Sequence, residues 1–319
     1  MQVNLVYIKL RALVHMALIH VTLVCSVWAS DNNDNARPDR YIFWNGGALK
    51  ARQAYEIEVI QNALDATLAQ YGDYSLDLIS DIYTPRRSFA HLEQGDLFNM
   101  KVSSRIQEGL SHKATLVDFP LYLGILGYRQ LIIRKEDLAK FNRTHSDEQL
   151  RKYSAGQVRS WADVAIYRHN KFPVVESETF EALFPMLVAG RFDYIPLGAI
   201  EIQEAFANHK EKYPELMIAP NILFYYPLPA RILINDPSGR LRQRLNDGFN
   251  KLTKNGGVED SFKRYFEQAI ETILLSDNRT LALKNPNLKK LCKPSKKIQS
   301  HSGSSSNMAK IFNRMDPCI

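Results

Sequence analysis

Across residues 41–275 short apolar runs alternate with longer stretches of helical periodicity, and this alternation restricts the fold more than any other feature of the chain. Strand-like runs separated by helix-length segments call for an α/β protein, because the apolar faces of a sheet need a helical cover. Tyr41-Ile42-Phe43-Trp44 reads as a short strand ending in the turn signal Asn45-Gly46-Gly47. Residues 51–71 read as a helix, with Tyr55, Val59, Ala63, Ala66 and Leu68 near helical spacing and Gly72 closing it. A strand over 74–82 follows, then a helix over 86–94 with Pro85 in its first turn and Gly95 as its cap. Further strands are expected at 131–133, 172–175, 192–195, 221–226 and 230–234, and further helices at 161–170, 179–189, 199–213, 239–255 and 258–275. Residues 135–157 read as a polar connection. No internal repeat is apparent, and 319 residues fit about two domain-sized units.

The first 29 residues read as a secretory leader rather than part of this fold. Lys9 and Arg11 precede the apolar run 12–28, and Val27-Trp28-Ala29 offers a cleavage site after Ala29. A membrane anchor is the competing reading. The run is short for one and contains His15, His20 and Thr22. Export and a periplasmic location are therefore expected. Cys25 leaves with the leader, while Cys292 and Cys318 lie near the other end, so the body needs no disulfide framework.

The net charge of +7 invites a nucleic-acid partner until its position is considered. Eight of the 41 Lys and Arg residues but only one of the 34 Asp and Glu residues fall in 284–319, leaving 33 of each sign before it. The basic excess belongs to a Lys- and Ser-rich tail, read as disordered. Nucleic acid drops out as an expected partner.

Catalytic and metal signatures are missing from the pattern. No phosphate-binding glycine loop, nucleophile elbow or H-E-x-x-H occurs, and the histidines show no i,i+3 or i,i+4 pairing. No cofactor is expected. The chain reads as one that binds.

Three stretches carry a family resemblance. The first is Arg87-x-Phe89-x-x-Leu92-x-x-Gly95, and the second runs from Asp118-Phe119-Pro120-Leu121-Tyr122 through Tyr128-Arg129-Gln130-Leu131. The third combines Ser160-Trp161-Ala162-Asp163, Val174-Val175-Glu176-Ser177-Glu178-Thr179 and Gly190-Arg191-Phe192-Asp193-Tyr194. Together they resemble the type II, two-lobed periplasmic solute-binding proteins, in the extracellular family 3 branch that includes amino-acid receptors.

The resemblance implies two Rossmann-like lobes joined by a two-strand hinge, with the first lobe at 37–127 and 224–283 and the second at 128–223. It implies a monomeric receptor that captures a small polar or anionic, amino-acid-like ligand for an ABC permease. A receptor feeding a membrane sensor is the alternative, and a cleft enzyme such as a dehydratase using Glu201 or Glu178 a third. The implied ligand-binding residues are Arg129, Trp44, Tyr83, Arg87, Tyr128, Trp161, Ser177, Thr179 and Glu201. Arg129 stands near the place of the family's carboxylate-gripping arginine, and a guanidinium fork suits that task. Pairing with a structural acid such as Asp118 is the equal alternative. In the first case Arg129→Ala would weaken binding and leave the melting temperature nearly unchanged. Ser177 and Thr179 precede a helix, where capping competes with ligand binding. Beyond the strand at 192–195 the family places an acid for the ligand's ammonium, whereas here the stretch is Ile195-Pro196-Leu197-Gly198-Ala199 and the next acid is Glu201.

Overall fold

A computed structural model describes residues 38–104, 114–143, 146–275 and 279–288. The leader and residues 289–319 of the tail lie outside the described residues.

The first sheet is built on β1 (Asp39–Trp44), whose aromatic alternation faces two ways. Tyr41 and Phe43 are buried in the main core, and Ile42 and Trp44 join a smaller cluster on the other face. β1 pairs in parallel with β2 (Tyr74–Ile79) and β3 (Met100–Ser103). Antiparallel β11 (Arg231–Asn235) and β4 (Ala114–Leu116) complete the order β2-β1-β3-β11-β4. Helix α1 (Lys50–Asp65) supplies Tyr55, Val59, Ile60 and Ala63 to the main core, beside α6 (Arg240–Lys254) and α7 (Gly257–Leu275). Helix α2 (Pro85–Gln94) covers the small cluster. As its sequence predicts, it starts on Pro85 and ends on left-handed Gly95, with Thr84 Oγ1 accepting from Arg87 N–H.

The second sheet has the order β12-β10-β5-β8-β6-β7, with β9 (Leu216–Ile218) beside β5. Its strands are β5 (Tyr128–Arg134), β6 (Ala155–Val158), β7 (Val174–Ser177), β8 (Tyr194–Gly198), β10 (Ile222–Tyr225) and β12 (Arg279–Ala282). Helices α3 (Asp163–His169), α4 (Phe180–Val188) and α5 (Ile202–Ala207) belong to this half. The sequence reading expected no strand at β3, β4, β6, β9 or β12, and two of these bear on the site. β6 overlaps the end of the expected polar connection, because Ala155-Gly156-Gln157-Val158 lacks an apolar run although all four residues are buried. β12 pairs in parallel with β10 and so joins the second sheet, where the sequence reading kept residues up to 283 with the first lobe. The chain stays ordered just beyond it. The Asn170 side chain donates to Lys284 O (2.8 Å) and accepts from Lys284 N–H (2.9 Å), and Asn285 Nδ2 donates to Pro227 O (2.8 Å).

The two sheets are joined where β5 begins and β10 ends. Tyr226 N–H donates to Gly127 O (3.2 Å), and a Cβ on Gly127 would stand 2.2 Å from Tyr226 O. Only glycine lets the crossing strands approach this closely. Gly127→Ala is expected to force them apart and cost about 2 kcal/mol, read from urea unfolding.

Candidate functional site

A dense polar grouping lies at the seam between the two sheets. Arg129 on β5 is 5% exposed, and each side of its guanidinium is engaged. Nη2 pairs with Asp163 Oδ1 (2.8 Å), Nη1 with Glu201 Oε2 (3.4 Å), and Nε donates to the Tyr226 hydroxyl (2.7 Å), which itself donates to Asp163. A matching module stands on the first lobe. Arg52 on α1 donates from Nε to the Tyr122 hydroxyl (3.1 Å) and pairs through Nη2 with Glu56 (3.3 Å), while Tyr122 donates to Glu56. Glu201 links the modules: its Oε1 accepts from Arg52 Nη1 (2.5 Å), and its Oε2 accepts from Gly198 N–H (3.2 Å) and faces Arg129.

The result is a row of alternating charge, Glu56, Arg52, Glu201, Arg129, Asp163, crossing from one lobe to the other. Burial alone would raise the Glu201 carboxyl, yet the guanidiniums of Arg52 and Arg129 outweigh it and hold the group below the usual carboxylate range. At Glu56 the balance is reversed: burial prevails over Arg52 and Tyr122, and its pKa is raised. Burial also works to lower Arg129, but Asp163, Tyr226 and Glu201 more than offset it.

Arg129 therefore pairs with internal acids. The partner is Asp163 rather than Asp118, which pairs with Arg242 (2.8 Å) at the surface. Asp163, the first residue of α3, is this buried counter-ion. Ser177 and Thr179 serve their own helix. Ser177 Oγ donates to Thr179 O (2.8 Å), and Thr179 Oγ1 accepts from Ala182 N–H (3.3 Å) as the cap of α4.

The remaining sequence candidates fall on either side of the seam. Trp44 stacks on Phe98 (5.6 Å between centroids), lies 6.2 Å from Tyr83, and donates from Nε1 to Asp81 O (2.8 Å). Arg87 is exposed, its guanidinium 5.4 Å from the Tyr83 ring. Tyr128 packs on Tyr225 at the hinge (4.6 Å), and Trp161 on Phe180 (6.0 Å) in the second lobe. Structure thus joins Arg129 with Glu201, Trp44 with Tyr83, and Ser177 with Thr179. Arg52, Glu56, Tyr122 and Tyr226 were missed. Arg52 left one signal: a cation in the first turn of a helix with no acid beside it.

No family model matches the chain, and no curated protein matches it by sequence. Solved structures do. A Salmonella typhimurium periplasmic binding protein with high arginine specificity aligns at a TM-score of 0.51 and 12% identity, over 72% of this chain and 99% of that one. An ancestral arginine-binding protein bound to arginine aligns at 0.50 and 13%, over 71% and 98%. The fold is that of the two-lobed periplasmic binding proteins.

The row of charge from Glu56 to Asp163 occupies the seam between the two sheets. Among the described residues no cluster of His, Cys, Asp and Glu has the makings of a metal site, and no helix is long and apolar enough to cross a membrane.

Proposed function

We propose that the chain is an exported solute receptor that holds a small polar or anionic ligand of amino-acid character between its lobes and delivers it to an ABC permease. The observation that carries this reading is the seam itself. A two-lobed binding-protein fold brings three carboxylates and two guanidiniums together where its halves meet. Such a set can recognise both an ammonium and a carboxylate, the two groups every free amino acid presents. The matched proteins bind arginine, which agrees with this chemistry.

Enzymatic use of Glu201 fits less well. A carboxylate clamped by Arg52 and Arg129 and held below its usual range is poorly placed to exchange a proton. Glu178, the other acid considered, is exposed and paired with Arg159.

A thermal-shift screen of the protein against the common amino acids tests the reading. A ligand at a hundred times its Kd adds about 2.7 kcal/mol of apparent stability, which moves the melting temperature by several degrees. Absence of a shift with every amino acid, confirmed by calorimetry, would overturn it.

A further inference from the structure

Helix α1 begins against the usual electrostatic preference. Its N-cap position holds Leu49, which has no side-chain acceptor, and its first turn contains Lys50 and Arg52 but no acid. Two cations thus sit at the positive end of a helix dipole, next to backbone N–H groups that a local cap would normally satisfy. The missing anion comes from the other lobe. Lys50 N–H donates to Glu204 Oε1 (2.9 Å) and Ala51 N–H to Glu204 Oε2 (3.1 Å), so one carboxylate straddles the helix start. Three residues earlier, Glu201 receives Arg52 (2.5 Å). Leu49 itself packs with the second-lobe cluster that includes Leu197, Ile202 and Ala205.

We propose that Glu204, together with the Arg52–Glu201 pair, is an interlobe latch: it holds the second lobe against the start of α1 and sets the ratio of closed to open protein. Three observations agree. The helix start lacks a cap of its own, the acids that serve it lie some 150 residues away in sequence, and Leu49 contributes an apolar contact across the seam where a polar cap would be expected. Glu204 and Leu49 act as positioning residues. They favour the closed arrangement that a ligand would need, and a smaller closed fraction weakens apparent affinity in proportion. That consequence for affinity rests on the receptor reading, whereas the latch does not.

The test is a distance between lobes measured without any ligand. Spin labels on Gln61→Cys of α1 and Lys210→Cys beyond α5, with the native cysteines changed to serine, report lobe separation by pulsed electron resonance. Glu204→Ala is expected to raise the open-to-closed ratio tenfold or more (about 1.4 kcal/mol), with Glu204→Gln intermediate. Leu49→Asp supplies α1 with its own cap and removes the apolar contact, so it should open the lobes without loss of helix content. An unchanged distance distribution in Glu204→Ala would overturn the latch. A lowered melting temperature with unchanged distances would overturn it equally, since Glu204 would then be a helix cap and nothing more. Lobes that open on schedule in a protein that binds no amino acid would leave the latch standing and remove the receptor reading alone.

Discussion

Arg129→Ala is expected to destabilise the fold by about 3–5 kcal/mol, seen as a large fall in the urea midpoint. The arginine is buried, and its loss takes from Asp163 its paired cation, leaving the Tyr226 hydroxyl, and leaves Glu201 with Arg52. Removing one partner of a buried ion pair costs far more than the pair contributes, because the orphaned charge keeps its desolvation penalty. The double variant Arg129→Met with Asp163→Leu removes both charges and should recover much of the loss. A fall below about 1 kcal/mol in Arg129→Ala would place the cluster in contact with water, as in surface pairs. The expectation from sequence, weaker binding at an unchanged melting temperature, gives Arg129 to the ligand alone. In the folded protein its fork also holds two acids, so a large loss of stability is expected whether or not it meets a ligand.

That contrast separates what was legible in the sequence from what was not. Local devices were readable because their partners lie within a few residues: Pro85 and Gly95 bound α2, and Thr179 caps α4. The α/β alternation was readable for the same reason, since a strand's apolar run and a helix's period are short-range patterns. β6 escaped because Gly156 and Gln157 interrupt any apolar run, and its burial arises only from the strands and helices around it. The seam escaped more completely. Asp163 is 34 residues from Arg129, and Glu201 is 149 from Arg52, so only the finished fold brings them into contact. Glu201 could be singled out by counting to the next acid after β8, yet nothing nearby in the chain announces the two arginines that meet it. The start of α1 is the instructive case. Lys50 and Arg52 at an uncapped helix end form a local conflict, and a conflict of that kind marks a place where distant residues must supply the remedy.

Lys101 leads to the other large effect, a stability that rises with pH. It stands on β3 among apolar residues, 4% exposed, with Nζ donating to Ser88 Oγ (2.6 Å) and lying 4.2 Å from the Phe89 ring and 4.6 Å from the Trp44 ring. Burial pushes its amine from the ordinary 10.5 down to about 7. Below that value both folded and unfolded chains hold the proton, and the full cost of a buried ammonium is present. Between about pH 7 and 10 the unfolded chain still binds the proton while the folded chain has released it, so stability climbs by about 1.4 kcal/mol per pH unit. Urea unfolding at about pH 7 and about pH 9.5 should therefore differ by about 3 kcal/mol. Tyrosines limit the window from above. Burial and the bond to Asp39 push Tyr41 up to about 12, so above pH 10 the unfolded tyrosine ionises first and stability turns down. Lys101→Met keeps the stem and removes the titration. It should be more stable than the parent at pH 7 by about 3 kcal/mol, and the gap should close as pH rises toward 10. A gap that stays constant across that range would mean the ammonium remains charged in the folded state, with the faces of Trp44 and Phe89 compensating for the water it has lost.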